Sequence, residues 1–163
     1  MKKILGLAGI VAAVVGLSAA EARASALVWP VSGTVTCTWY YSTGGFHGAV
    51  DIGGNSGAAI GAARAGTAGA YWGWNGGYGN FVRITHVNGY TTDYHHFVSI
   101  IVRSGQSVSQ LQTLGYVGST GMTTGPHCHF DLRRWGTKIY MPAYRGQYLT
   151  KGRAVPASYS GLP

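Results

Sequence analysis

Acidic residues are scarce in this chain of 163 residues, which has 4 aspartates and glutamates against 12 lysines and arginines. The only glutamate is Glu21, and the aspartates are Asp51, Asp93 and Asp131. Because Glu21 lies in a segment that we expect to be removed, an enzyme built from this chain has no glutamate to use as a general base. Its chemistry must then rely on the 6 histidines and the few aspartates.

Long helical periodicity is also missing. Short runs rich in Val, Ile, Thr, Tyr and Phe alternate with clusters of Gly, Asn and Ser, a pattern typical of an all-β domain. Asn88-Gly89 predicts a two-residue hairpin turn, and the tail over residues 136–163 is expected to be irregular. We predict a single compact antiparallel β-sheet domain with strands at residues 33–40, 49–52, 67–74, 80–87, 90–97, 113–117 and 127–134.

Only one stretch, residues 4–20, is a long apolar run. It follows Lys2 and Lys3 and precedes Ala22-Arg23-Ala24, which has the small-x-small form of a cleavage site. We therefore predict a signal peptide over residues 1–24 and one domain over residues 25–163. A membrane anchor is the alternative, but the run is shorter than the ~20 residues that span a bilayer. The expected location is extracellular or periplasmic, with no stable membrane anchor after cleavage.

Positive charge dominates what remains after residue 24. Nine lysines and arginines against three aspartates leave a formal charge of +6, compared with +8 for the full chain. Such a surface favours polyanions. For an exported protein we expect the partner to be an anionic cell-wall surface. Nucleic acid is not expected, since no basic run or binding motif is present.

Cysteine is limited to Cys37 and Cys128. Export to an oxidising compartment would allow a disulfide between them, and two buried free thiols are the alternative. On a strand, Cys128 would face away from its neighbours His127 and His129.

The histidines fall into a spaced pattern: His47-x-x-x-Asp51, the pair His95-His96, and His127-x-His129. On a strand, residues two apart share a face and lie about 7 Å apart, so His127 and His129 could enter one site. Three protein ligands plus a water form a catalytic zinc site, whereas four form a structural one. Imidazole and carboxylate suit zinc, and manganese, cobalt or nickel also fit these ligand types. The remaining histidine, His86, has no partner motif and is expected to be structural.

Three segments in this order resemble the M23 family of zinc metallopeptidases, the lysostaphin-type and beta-lytic cell-wall endopeptidases. They are HxxxD within residues 46–52, Tyr-x-His followed by a hydrophobic residue at 94–97, and GSTGMTTGPHCHF at 118–130. The resemblance covers roughly residues 29–134. It implies that His47, Asp51 and His129 bind one Zn²⁺ per chain and that His96 and His127 are catalytic.

The resemblance also assigns the neighbours of these residues. His96 is the third residue of the Tyr-x-His motif. Strand alternation puts Tyr94 and His96 on one face, so His95 is expected to face away. A tyrosine before the first ligand often helps to stabilise the oxyanion in this family, and Tyr40 or Tyr41 is the candidate.

Without a glutamate, a histidine must take the proton from the attacking water. We expect His127 to be this base, because it lies two residues from a ligand, and His96 to orient the water or stabilise the oxyanion. The two roles could be exchanged. Neutral imidazole is suited to proton transfer near neutral pH.

The resemblance implies a LytM-like fold whose loops frame a narrow groove. It also implies a secreted, monomeric endopeptidase that hydrolyses peptide cross-links or glycine-rich bridges of bacterial peptidoglycan. Three alternatives stay open: a non-catalytic M23-like module that binds the wall or activates another hydrolase, a peptidase acting on glycine-rich extracellular proteins such as elastin, and a structural zinc-binding module. The aromatic candidates for lining the groove are Trp29, Trp39, Trp72, Trp74, Tyr78 and Trp135.

Overall fold

The computed structural model describes residues 26–156. The predicted signal peptide lies outside the described residues. Within them no helix has the length and apolar character needed to cross a bilayer.

Short strands and two 3-10 turns make up the regular structure of residues 26–156. The 3-10 turns are Asn75–Gly77 and Val87–Gly89. The strands are β1 (Gly33–Cys37), β2 (Val50–Gly53), β3 (Ala59–Gly61), β4 (Gly66–Tyr71), β5 (Phe81–Thr85), β6 (Tyr90–His95), β7 (Phe97–Ile100), β8 (Ser107–Val108), β9 (Thr113–Val117), β10 (His127–Arg134), β11 (Thr137–Ile139) and β12 (Tyr148–Leu149).

The strands form two antiparallel sheets, which confirms the predicted all-β domain of antiparallel β-sheet. The main sheet has the order β12-β1-β2-β10-β6-β5-β4-β8, with β11 paired to β10. The small sheet has the order β3-β9-β7. The described tail is not wholly irregular, because β11 and β12 extend the main sheet.

The two faces of the main sheet differ in chemistry. Ile52, Phe130 and Tyr94 are fully buried on the face that packs into the hydrophobic core. The opposite face carries His127, His129, Asp131 and Arg133 of β10, because side chains alternate along a strand. Burial of the apolar face stabilises the sheet that holds the polar one.

The hairpin prediction is confirmed. Asn88 and Gly89 have φ angles of 59° and 73°, the left-handed values that a type I′ turn requires. The turn joins β5 to β6, which pair antiparallel. Four predicted strands end early. The strand predicted at 33–40 stops at Cys37, the one at 67–74 stops at Tyr71, the one at 80–87 stops at Thr85, and the one at 90–97 breaks at His96.

Both cysteines are free and buried, so the disulfide alternative is not adopted. Cys128 faces the core and is fully buried, as its position between two site histidines predicts. Cys37 lies at the end of β1, opposite Asp51 on β2.

Two glycines bring the loop before β5 against the loop before β10. Gly79 and Gly121 have φ angles of 65° and 78°. A Cβ on Gly79 would overlap the backbone of Thr120, and a Cβ on Gly121 would overlap the backbone of Gly77 and Gly79. Only glycine allows this approach of backbone to backbone.

We predict that Gly79→Ala is more destabilising than Gly76→Ala. Both positions have a φ of 65°, but a Cβ on Gly76 meets nothing within 4 Å. Gly76→Ala is therefore the control, because it costs only the left-handed backbone strain of about 1 kcal/mol. Gly79→Ala adds an overpacking cost of about 1–3 kcal/mol. Urea unfolding of both variants measures the difference. Equal free energies of unfolding would contradict the close approach.

Candidate metal and catalytic site

The register of three central strands assembles the site. β10 lies between β2 and β6, with His129 opposite Asp51 on one side and opposite His95 on the other. His127 lies opposite Gly53, where the absence of a side chain leaves room above the sheet. Residues distant in sequence are thus brought together by strand pairing.

His47 lies just before β2 and is held by its backbone surroundings. Its Nδ1 lies 2.6 Å from the carbonyl oxygen of Thr38. Since a carbonyl only accepts hydrogen bonds, Nδ1 carries the proton and Nε2 keeps its lone pair. This is the tautomer that a metal-ligating histidine needs.

Three ligand atoms of the predicted metal site converge. His129 Nδ1 lies 2.9 Å from His47 Nε2 and 2.9 Å from Asp51 Oδ1, and His47 Nε2 lies 3.2 Å from Asp51 Oδ1. In a tetrahedral zinc site with bonds of about 2.0–2.1 Å, ligand atoms are about 3.3 Å apart. The triangle is slightly smaller than this and fits one zinc ion with small adjustments.

The protonation states of Asp51 and His129, two of the three ligands in the triangle, suit metal binding. Burial alone would raise the pKa of Asp51, but hydrogen bonds with His129 and His47 outweigh it and hold this pKa below its ordinary value. Burial lowers the pKa of His129 to about 3. At neutral pH the site therefore presents a carboxylate and a neutral imidazole.

The orientation of the His127 ring is set by hydrogen bonds with residues of the loop that precedes it. Its Nδ1 lies 2.9 Å from the carbonyl oxygen of Gly125 and 3.1 Å from Thr123 Oγ1. The proton on Nδ1 is donated to that carbonyl, so Nε2 is free to accept. Nε2 lies 3.6 Å from Asp51 Oδ1 and thus adjoins the triangle.

His96 reaches the site through an unusual backbone conformation. Its φ is 66°, in the left-handed region that costs a non-glycine residue about 1–2 kcal/mol. Its N–H donates to the carbonyl of Tyr78, and its Nδ1 lies 2.7 Å from the carbonyl of Thr120. Strain of this kind is typical of functional sites. Its ring lies 4.7 Å from that of His127.

The expectation that His95 faces away from the site is wrong, as is the shared face of Tyr94 and His96. The left-handed residue His96 ends the alternation of β6, so both histidines lie on the site side of the sheet. Tyr94 points into the core, where its hydroxyl oxygen accepts from the backbone N–H of Ala63 at 2.7 Å. The ring of His95 lies 5.0 Å from that of His129. His86, by contrast, is held by Ala65 and Thr92, as expected of a structural residue.

A groove runs over the site as a chain of small cavities that share lining residues. The cavity at the centre has a volume of about 150 Å³ and is lined by Tyr41, Met122, Thr123, Thr124 and the five predicted site residues. Its neighbour, of about 200 Å³, extends past Tyr78 and Gly76–Gly77.

Of the two candidate tyrosines, Tyr41 lines the groove and packs its ring 4.7 Å from that of His47. Tyr40 packs on Phe46 at the surface. Of the six aromatic candidates for the groove, Tyr78 lines the cavities described. Trp29 is buried in the core and Trp39 packs on Phe46 and Tyr140, while Trp72, Trp74 and Trp135 are exposed outside these cavities.

Cys37 lies close to the proposed ligands His47 and Asp51. Its sulfur is within 4.8 Å of ligand atoms of His47 and Asp51. The thiol contacts the carbonyl oxygens of Thr38 and Tyr40 at 3.7 and 3.8 Å. Burial raises the pKa of the Cys37 thiol, so the thiol keeps its proton in the metal-free protein.

Comparison with known proteins assigns the chain to a family. The family model of peptidase family M23 matches residues 45–141, which include all five predicted site residues, and the chain belongs to this family.

Two curated relatives differ in what their names describe. The peptidoglycan DD-endopeptidase ShyA of Vibrio cholerae is 50% identical over 85 residues, covering 52% of this chain and 16% of that protein. The murein hydrolase activator NlpD of Escherichia coli is 36% identical over 118 residues, covering 70% of this chain and 31% of that protein. The chain thus matches less than a third of either relative's length.

Among solved structures, a zinc-containing peptidase from Vibrio cholerae superposes with a TM-score of 0.65 at 27% identity. The match covers 73% of this chain and 40% of that one.

We predict that the metal-free protein loses stability as the pH falls below about 6.5. Burial lowers the pKa of His86, of His96 to about 4 and of His129 to about 3, whereas unfolded histidine titrates near 6.5. Between about pH 6.5 and 4 the unfolded chain binds more protons at His96 and His129, so the free energy of unfolding falls by about 1.4 kcal/mol per pH unit for each of these two histidines. His86 contributes in the same direction.

Denaturant unfolding in a chelator at pH 7 and pH 5.5 measures this loss. His86→Gln changes a residue outside the metal triangle and should make the loss of stability between the two pH values smaller. Equal free energies of unfolding at the two pH values would contradict the burial of neutral imidazoles.

Proposed function

We propose that this protein is an exported, zinc-dependent endopeptidase that hydrolyses peptide bonds of bacterial peptidoglycan. One observation carries the proposal. A three-ligand triangle and two histidines with free Nε2 atoms face the same groove. A structural zinc site would need a fourth protein ligand, whereas a catalytic site has three and keeps a position for water.

Zinc held by His47, Asp51 and His129 supplies a Lewis acid that polarises the scissile carbonyl and makes a water more acidic. The protein must then accept the proton of the attacking water. His127 is the better base, because its Nε2 is unprotonated and adjoins Asp51. His96 is a poorer base at neutral pH, since burial lowers its pKa to about 4.

His96 instead orients the water. Its Nδ1–H is donated to the carbonyl of Thr120, so Nε2 can accept a hydrogen bond from water but cannot donate one to an oxyanion. The oxyanion needs a donor on the groove wall. Tyr41 is the candidate, because it lines the central cavity and burial raises the pKa of its hydroxyl, which therefore keeps its proton.

Charge supports a polyanionic wall as the place of action. The three aspartates of the described residues are all buried in the site or behind it. Arg103, Arg134, Arg145 and Arg153 are exposed. The described surface therefore offers cations without neighbouring carboxylates, and its attraction to anionic polymers should weaken with salt. The names of relatives such as ShyA favour peptidoglycan over a protein such as elastin.

The second candidate is an activator of another wall hydrolase, which the similarity to NlpD favours. A module that only binds and activates does not need a ligand triangle or a free base. This chain keeps all five residues in position, which supports catalysis.

We predict that two pairs of variants separate metal binding from catalysis. His47→Ala and His129→Ala should lose zinc and activity together. His127→Ala and His96→Ala should retain about one zinc per chain but lose hydrolysis of purified cell walls by about 10²-fold or more, the contribution typical of a general base. Metal analysis and the loss of wall turbidity provide the readouts. His86→Gln is the control and should keep both properties.

Zinc loss in His127→Ala would mean that a ligand had been mistaken for the base. Full wall hydrolysis by His129→Ala, or its persistence in a chelator, would contradict the proposed metal chemistry. Stimulation of a second hydrolase by all four variants, without hydrolysis by the unmodified protein, would favour the activator.

We also predict that Tyr41 and Tyr40 differ in their contribution to catalysis. Tyr41→Phe removes the proposed donor to the oxyanion and should lower kcat by about 10²-fold, with KM little changed. Tyr40→Phe, the matched control at the surface, should leave kcat within about twofold. Steady-state hydrolysis of a soluble peptidoglycan peptide measures both. Equal kcat values for the two variants would remove Tyr41 from the mechanism.

A further inference from the structure

His95 is an anomaly in the described part of the chain. It is 1% exposed, and neither ring nitrogen has a hydrogen-bond partner there. A buried polar group left without a partner costs about 1–3 kcal/mol, so such a group calls for a reason. Its ring is clamped between Tyr78, stacked at 4.3 Å, and His129, whose ring it meets edge-on at 5.0 Å.

His129 also has a buried ring nitrogen without a hydrogen-bond partner among the described residues. Its Nδ1 belongs to the metal triangle, while its Nε2 is buried without a hydrogen-bond partner. When Nδ1 gives its lone pair to a metal, a neutral imidazole carries its proton on Nε2. That proton needs an acceptor, because ligating histidines usually donate their second N–H to a carboxylate or carbonyl.

Asp131 is the carboxylate in reach of both rings. It is fully buried, and its Oδ2 lies 3.4 Å from His95 Nε2 and 3.9 Å from His129 Nε2. Arg133 donates to the same carboxylate at 2.8 Å, and Lys138 lies 3.5 Å from it. These two cations hold the Asp131 carboxylate in place beside the histidines.

We propose that Asp131 and His95 are positioning residues for the metal ligand His129. A small shift of the His129 ring on metal binding would bring its Nε2 proton, now 3.9 Å from Asp131 Oδ2, within hydrogen-bond distance of that carboxylate. Asp131 would then favour the tautomer whose Nδ1 lone pair faces Asp51 and His47. His95 fixes the plane of the ring by edge contact. This inference rests on the proposed function, since it takes His129 as a ligand.

A second metal at His95, His129 and Asp131, whose ligand atoms lie within 4.8 Å of one another, is the competing interpretation. Two cations already neutralise Asp131, and at this distance they would repel a further cation. The positioning role requires no such ion.

The chain offers a matched control in Asp93. It lies opposite Asp131 across β6 and β10 and is equally buried. Arg83 donates to its carboxylate at 2.7 Å, and Arg133 lies 3.2 Å away. Asp93→Asn therefore removes a buried, cation-bound carboxylate just as Asp131→Asn does, but not the one beside His129.

The test measures zinc affinity of the full chain by competition with a chromophoric chelator, together with urea unfolding of the metal-free proteins. Asp131→Asn should weaken zinc binding by about 10–100-fold, whereas Asp93→Asn should stay within about threefold of the unmodified protein at a similar loss of stability. His95→Gln provides a second variant if Asp131→Asn does not fold, and should weaken zinc binding at least about fivefold.

Equal zinc affinities for the two aspartate variants would overturn the inference. So would a stoichiometry of two zinc ions per chain of which Asp131→Asn loses one. Failure of the ligand set is a separate result. If His47→Ala and His129→Ala lose zinc while Asp131→Asn binds it normally, only the positioning role fails. If the ligand variants keep zinc, the proposed function fails as well.

Discussion

The pairing of β10 between β2 and β6 is the constraint on which the rest of the structure depends. It sets His129 opposite both Asp51 and His95. A shift of this register by one residue would turn His127 and His129 into the core and bring Cys128 and Phe130 to the site. The apolar face of β10 opposes such a shift, because the shift would move Phe130 and Leu132 out of the core. Core packing and site geometry are therefore specified by the same alternation.

The few acidic residues of the described chain are gathered at the site and its surroundings. All three aspartates of the described residues lie on the histidine-bearing face of the main sheet, with Asp51 on β2, Asp131 on β10 and Asp93 on β6. Each is buried and bound by histidine or arginine, as burial of a charge requires. No aspartate of the described residues is exposed, so the exposed charged side chains of this part of the chain are all basic.

Local patterns in the sequence predicted the parts of the site that depend on alternation and turn chemistry. The common face of His127 and His129, the core-facing Cys128 and the turn at Asn88-Gly89 all follow from rules that act over a few residues. The five-residue site itself came from the resemblance to a family, and its roles are still proposals.

What the sequence could not predict depends on long-range contacts. The break at His96 arises because carbonyl groups of Tyr78 and Thr120, distant in sequence, hold a strained conformation, and the strand period therefore gave the wrong faces for Tyr94 and His95. The pairing of β11 and β12 with the main sheet has no local signal either. The choice of Tyr41 over Tyr40 likewise depends on how the chain turns after β1.

The most direct test is mass spectrometry of the products formed when the purified, zinc-loaded protein acts on purified peptidoglycan, free of other hydrolases, in ¹⁸O-labelled water. The account predicts peptide fragments with new amino termini and new carboxyl termini that carry one heavy oxygen, and none when a chelator is present. Absence of such fragments, or their appearance only after a second hydrolase is added, would contradict catalysis by this chain.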